Sequence, residues 1–123
     1  MNIALWIVQV LLALAFGFAG FMKLTQSKEK LAVQMAWVED FSPTIVRLIG
    51  LVEILAAVGL VLPALTGILP WLTPVAAVGL VLNMIGAAIT HLRRKENPMI
   101  VANLVLLALS AFVAYGRWFI EPL

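Results

Sequence analysis

The 123-residue chain contains no cysteine and only one histidine. Without cysteine the chain cannot form disulfides, CxxC redox motifs, thioether-linked haem or thiolate-held iron–sulfur clusters. A single histidine with scattered acidic residues argues against a metal site, because metals need several converging ligands. Paired catalytic carboxylates, a Ser-His-Asp spacing and a glycine-rich phosphate loop are also missing from the sequence. Any redox role would therefore use a bound cofactor or a partner protein.

Charge is scarce as well, at 11% of residues, whereas 64% are apolar and the mean hydropathy is +1.13. These values predict an integral membrane protein that is embedded in the lipid bilayer, which is therefore the expected binding partner of its apolar surface. The net charge of +2 comes from few residues in short loops, so nucleic-acid binding is not expected.

Four apolar runs predict membrane-spanning helices at residues 3–22, 45–62, 72–92 and 99–115. Pro63 is expected to close the second span, and Pro74 suits the first turn of the third. Short connections then predict an all-α, antiparallel four-helix bundle that forms a single domain over residues 1–123. Residues 27–41 show helical spacing with Ser27 as an N-cap, which predicts an interfacial helix that either anchors the chain or covers a site.

The basic residues are distributed unevenly between the two ends of this bundle. Arg117 alone falls at one end, and the other end carries Lys23, Lys28, Lys30, Arg47, Arg93, Arg94 and Lys95. Because positive loops stay in the cytoplasm, both termini are predicted on the non-cytoplasmic side. Trp6, Trp71 and Trp118 fall at the predicted outer interface, where indole rings anchor membrane helices.

Glu53 lies near the middle of the second span and is the first candidate functional residue. An ionisable side chain at that depth costs about 2.5 to 3.5 kcal/mol, so it should face protein, water or a ligand. Gly50 and Glu53 share one helical face, and Asn83 and Thr90 share another. A neutral side chain could supply a simple contact between helices at a lower cost. Glu53 is therefore favoured as functional.

Axial depth groups these residues into one predicted pocket. At 1.5 Å per residue, Glu53 lies about 9 Å above Arg47, and Asn83 and Asn103 lie at similar heights. The pocket is predicted to open toward the cytoplasm and to bind a ligand through Glu53, Asn83, Asn103, Thr90 and Gly50, with Lys23, His91 and Arg47 around its mouth. No cation is expected close to Glu53, which favours its neutral form. Alternatively, the two asparagines only hold helices together.

Residues 18–24 (FAGFMKL), 47–63 (RLIGLVEILAAVGLVLP) and 83–92 (NMIGAAITHL) resemble the DoxX-like family of small four-helix membrane proteins. The Gly-x-x-Glu pattern before a proline and the lysine closing the first span are the diagnostic features. The resemblance implies a bacterial inner membrane and an association with quinone-linked sulfur oxidation and oxidative-stress complexes. Family members in animals are linked to receptor assembly. The positions carried over are Lys23, Gly50, Glu53 and His91, and the family assigns none of them a settled catalytic role.

Two functions follow as expectations. In the first, the protein is an accessory subunit of a redox system, with a membrane or soluble redox partner. It would bind a quinone or another lipophilic small molecule at Glu53, with Asn83 and Asn103 orienting the ligand. In the second, it is a non-enzymatic assembly protein whose bundle packs against partner helices. A transporter is a weaker third reading, because four short spans would need a homo-oligomer to build alternating access.

Overall fold

The computed structural model describes residues 1–123, apart from the side chain of Gln34. It contains five α-helices, a short 3₁₀-helix and a final π-helical turn. The α-helices are α1 (Asn2–Thr25), α2 (Lys28–Gln34), α3 (Pro43–Thr66), α4 (Leu72–Arg93) and α5 (Asn97–Tyr115). The 3₁₀-helix covers Ala36–Asp40 and the π-helical turn covers Gly116–Ile120.

Four of these helices are long and apolar enough to cross a membrane, namely α1, α3, α4 and α5 with its π-helical continuation. Helix α1 packs on α3, α3 on α4 and α4 on α5, and α5 returns against α1. The central core is built from Leu12 and Phe16 of α1, Leu60 of α3, Leu80 of α4 and Val113 of α5. This arrangement confirms the predicted all-α membrane bundle.

Helices α1 and α3 approach each other closely at Gly20 and Gly50. A Cβ atom added to Gly20 would lie 2.6 Å from the carbonyl oxygen of Gly50. A Cβ atom on Gly50 would lie 2.7 Å from the Gly20 carbonyl and 2.8 Å from the Cβ of Lys23. Small residues let two helix backbones meet in this way. The contact brings the end of α1 level with the turn of α3 that precedes Glu53.

Helix α3 does not end at Pro63, so the predicted end of the second span is wrong. The helix continues for another turn to Thr66 and ends at Gly67, whose φ of 72° lies in the left-handed region that favours glycine. Sequence pattern alone treats a proline after an apolar run as a stop, although proline is tolerated inside membrane helices when neighbours satisfy the freed backbone.

Neighbouring helices supply that compensation here. Pro63 lacks the N–H that would bond the Gly59 carbonyl, and the hydroxyl of Thr73 on α4 donates to that carbonyl at 2.9 Å. The side-chain amide of Gln9 on α1 donates to the next carbonyl, that of Leu60, at 2.6 Å. Both side chains are fully buried. Hydrogen bonds from α1 and α4 to these carbonyl groups therefore allow α3 to continue as a helix past Pro63.

The segment between α1 and α3 folds as two short helices rather than the single predicted one. Ser27 is the N-cap of α2, as predicted, and its side chain accepts a hydrogen bond from the Lys30 backbone N–H at 3.3 Å. Leu31 and Val38 are buried against Met22 of α1 and Val46 of α3. This second, smaller core attaches the segment to one end of the bundle, called the basic end below because it carries Lys23, Arg47 and Arg93.

Candidate ligand-binding site

A cavity of about 590 Å³ opens between the helices at the basic end. Among the residues predicted for a site, it is lined by Lys23, Glu53, Asn83, Thr90, His91 and Asn103. Gly50 lies instead in the α1–α3 contact, and Arg47 is exposed beside a much smaller depression of about 10 Å³. Tertiary packing thus brings most of the predicted residues around one space. Their ligand-binding role stays a prediction.

Glu53 lies on the cavity wall and accepts hydrogen bonds from two side chains. Its side chain is almost fully buried, with 1% of the residue exposed. The Lys23 ammonium donates to Oε1 of Glu53 at 2.6 Å, and the Asn83 amide donates to Oε2 at 3.2 Å. Both carboxylate oxygens are therefore held, one from α1 and one from α4.

The expectation that no cation lies close to Glu53 is wrong. A Cβ atom on Gly20 would lie 3.1 Å from the Cβ of Glu53, and Lys23 follows Gly20 by three residues, which is about one helical turn. A lysine side chain can cross this distance. Helical rise measures the depth of a backbone and leaves out the length of the side chain. Lys23 therefore turns inward as the ion-pair partner of Glu53 rather than standing at the cavity mouth.

Asn103 differs from Asn83 in its hydrogen bonding. It lies on α5, is 6% exposed and lines the same cavity. Its Nδ2 atom is buried and has no hydrogen-bond partner among the side chains that the structure describes. A buried amide without a partner is costly, about 1 to 3 kcal/mol.

The 3₁₀-helix and its flanks form the floor of the cavity at the basic end. Met35, Trp37 and Phe41 line it, and the Trp37 ring lies 5.2 Å from the Lys23 ammonium in a cation–π contact. The Phe41 ring meets the Trp37 ring edge to face, with centroids 5.7 Å apart. The segment that the sequence offered as an anchor or a cover therefore contributes part of the cavity wall.

An ion pair ties this floor to the loop between α4 and α5. Arg94 bonds Asp40 of the 3₁₀-helix at 3.0 Å, and the hydrogen bond to that carboxylate raises the pKa of the Arg94 guanidinium above its ordinary value. This contact joins the segment between α1 and α3 to the segment between α4 and α5.

His91 is buried at the end of α4 and its Nδ1 lies 2.9 Å from Oε1 of Glu96. Glu96 precedes α5, so this contact joins the ends of two helices. His91 lines the cavity while its Nδ1 is committed to Glu96. Thr90 is similarly engaged, because its hydroxyl donates to the Gly86 carbonyl of its own helix at 3.0 Å.

Sequence reasoning missed several residues of the site. Trp37 and Phe41 lie in the segment that was predicted as an interfacial helix, and nothing in the sequence placed their rings in the same cavity as Glu53. Glu96 and Asp40 gave no signal, since each is paired through a loop contact. The cavity combines an apolar wall, a held carboxylate, an ammonium and an unpaired amide donor, which is the arrangement expected for a lipophilic molecule with a polar head.

The sequence model of the DoxX-like family matches residues 7–113. The match covers most of α1, all of α2, α3 and α4, and nearly all of α5, and so includes every cavity residue described above. The chain has no significant match among the curated proteins or the solved structures.

Proposed function

Because the chain belongs to the DoxX-like family and is a multi-pass membrane protein, we propose that it binds a quinone or a similar lipophilic molecule in the cavity at the basic end. In this proposal it acts as an accessory subunit of a redox system. Asn103 carries the proposal, because the residue lines the cavity and the Nδ2 donor of its side chain has no hydrogen-bond partner among the described residues. A quinone carbonyl is an acceptor that fits such a donor.

Size and lining support the same class of ligand. A volume of about 590 Å³ falls within the range of roughly 300 to 1,000 Å³ that is usual for small-molecule sites. Phe16, Ile49 and Leu106 contribute apolar wall for a ring and the start of an isoprenoid tail. The Glu53 carboxylate, held by Lys23 and Asn83, would exchange a proton with a bound headgroup.

The alternative, an assembly protein whose bundle packs against partner helices, uses Glu53 as a buried structural contact. Glu53 is 1% exposed and ion-paired with Lys23, and either function would produce this arrangement. The unpartnered amide donor of Asn103, a cavity-lining residue, favours ligand binding.

Asn103→Leu is expected to weaken quinone binding about tenfold, since one hydrogen bond to a buried donor is lost. Binding is measured by titrating the purified protein with a short-chain benzoquinone and following quenching of tryptophan fluorescence, because Trp37 lies on the cavity wall. Ser110→Ala is the matched control. Ser110 is a buried polar residue on the same helix, and its hydroxyl already donates to the Leu106 carbonyl at 2.8 Å.

If Asn103→Leu and the unchanged protein bind the benzoquinone with equal affinity, Asn103 does not contribute to quinone binding. Absence of any saturable quenching in the unchanged protein would contradict quinone binding itself. Extraction and mass spectrometry of the lipids that copurify would then identify which other lipophilic molecule occupies the cavity.

We further propose that the membrane is the bacterial inner membrane and that both termini lie on its non-cytoplasmic side. The basic end carries seven of the eight Lys and Arg residues, and such loops remain in the cytoplasm. Alkaline phosphatase, which folds only outside the cytoplasm, is expected to be active when fused after Leu123 and inactive when fused after Lys95. The reverse pattern in full-length, membrane-inserted fusions would overturn this topology.

A further inference from the structure

A second cavity, of about 340 Å³, lies at the end of the bundle opposite to the basic end. Its apolar lining residues are Pro70, Trp71, Pro74, Trp118, Pro122 and Leu123. Arg117 also lines it and is the one charged side chain among its lining residues. Neither the family match nor the site at Glu53 accounts for this arrangement.

Arg117 is buried, with 3% of the residue exposed. Its hydrogen-bond partners are electrically neutral groups, and the carboxylate of Glu121 acts on it only from beyond ion-pair distance. Its Nε donates to Oε1 of Gln9 at 2.7 Å, and its Nη1 donates to the backbone carbonyl of Glu121 at 3.1 Å. The guanidinium carbon lies 5.8 Å from the centre of the Trp6 ring. Among the described residues no carboxylate forms an ion pair with Arg117, which contrasts with Lys23 and its partner Glu53.

The Arg117 guanidinium has N–H groups that make no hydrogen bond to the described residues. Its Nη2 atom is buried and has no hydrogen-bond partner among the described residues. Because a guanidinium carries five N–H donors in a fixed fork, the contacts with Gln9 and Glu121 leave the second Nη1 hydrogen and both Nη2 hydrogens unused. Two parallel N–H groups of this kind match the spacing of two oxygens of a phosphate or carboxylate.

Contacts that involve α1, α3 and the π-helical turn fix the position of the Arg117 guanidinium. Gln9, which orients Nε, is itself fixed by its hydrogen bond to the Leu60 carbonyl in α3. The π-helical turn approaches α1 closely, since a Cβ atom on Gly116 would collide with the Leu5 side chain. Turns of this type often occur at functional sites. Arg117 is therefore positioned by α1, α3 and the π-helical turn before any ligand arrives.

We propose that this second cavity binds the oxyanion of an anionic molecule, with Arg117 as the ligand-binding cation and the proline and tryptophan side chains as an apolar wall. A bound oxyanion would balance the buried positive charge and satisfy the unused Nη donors. The apolar walls favour an oxyanion attached to an apolar body, such as a phospholipid headgroup, over free phosphate.

The test is native mass spectrometry of the full chain from nonionic detergent with equal amounts of phosphatidylglycerol and phosphatidylcholine. The unchanged protein is expected to retain phosphatidylglycerol in preference to phosphatidylcholine. Arg117→Gln should reduce bound phosphatidylglycerol about tenfold, as expected for loss of a charge-assisted hydrogen bond. Arg47→Gln, which removes an exposed cation at the basic end, should leave it unchanged.

Equal retention of the two lipids, or equal loss in the Arg117 and Arg47 variants, would overturn the proposal. Inorganic phosphate added as competitor separates the two sources: displacement of the lipid identifies a general oxyanion site, and persistence of the lipid identifies a headgroup site. If Arg117→Gln fails to fold, the unchanged protein with bound phosphatidylglycerol is mixed with dodecyl phosphate in one sample and with dodecyltrimethylammonium in another. Loss of phosphatidylglycerol with dodecyl phosphate but not with dodecyltrimethylammonium supports the proposal. Equal loss with both detergents rejects it.

Discussion

Lys23→Met is expected to destabilise the protein by about 3 to 5 kcal/mol, because it leaves the carboxylate of Glu53 buried without its cation. Lys23 and Glu53 are 7% and 1% exposed and their charged atoms are 2.6 Å apart. Glu53→Met alone should be comparably harmful, since it leaves a buried ammonium. The measurement is the free energy of unfolding in mixed micelles of nonionic detergent and sodium dodecyl sulfate.

The combined variant Lys23→Met with Glu53→Met distinguishes an ion pair from two independent contacts. Removing both charges together should recover most of the lost free energy, because replacing a buried pair by apolar side chains of similar volume is often neutral. Lys30→Met, at an exposed lysine of α2, is the control and should change stability by less than about 0.5 kcal/mol. Additive losses in the double variant would contradict the coupling.

Gly50→Ala is expected to cost about 1 to 3 kcal/mol by overpacking. Its new Cβ would meet the Gly20 carbonyl at 2.7 Å and the Lys23 Cβ at 2.8 Å, and backbone atoms cannot move aside as a flexible side chain does. Helices α1 and α3 would have to separate, which would also pull the Lys23 ammonium from Glu53. Gly20→Ala should have a similar effect for the same reason.

Gly79→Ala is the matched control, since an added Cβ on this α4 glycine would meet no heavy atom within 4 Å. It should be neutral or stabilising by up to about 1 kcal/mol, because alanine favours a helix more than glycine. All three variants are compared by thermal unfolding in the same detergent. Similar losses at Gly50 and Gly79 would show that close helix packing is not the cause.

Long apolar runs determined the four spans, because a bilayer requires about 20 apolar residues per helix whatever the neighbouring helices are. The predicted third span, residues 72–92, nearly coincides with α4 at Leu72–Arg93. Helical periodicity also placed Glu53, Asn83 and Asn103 toward the interior, since an isolated polar side chain in lipid is costly. The cavity that they line was thus partly foreseeable from local pattern.

The membrane class, the number of spans and the inward faces follow from hydropathy and helical period, which are properties of the sequence. The side-chain partners follow from the folded arrangement: Lys23 pairs with Glu53, Thr73 with the carbonyl freed by Pro63, and Arg117 with Gln9. Each of these contacts joins residues on different helices, separated by up to 108 positions in the chain. Their formation depends on helix rotation, close approach at Gly20 and Gly50, and side-chain reach, none of which a local pattern records.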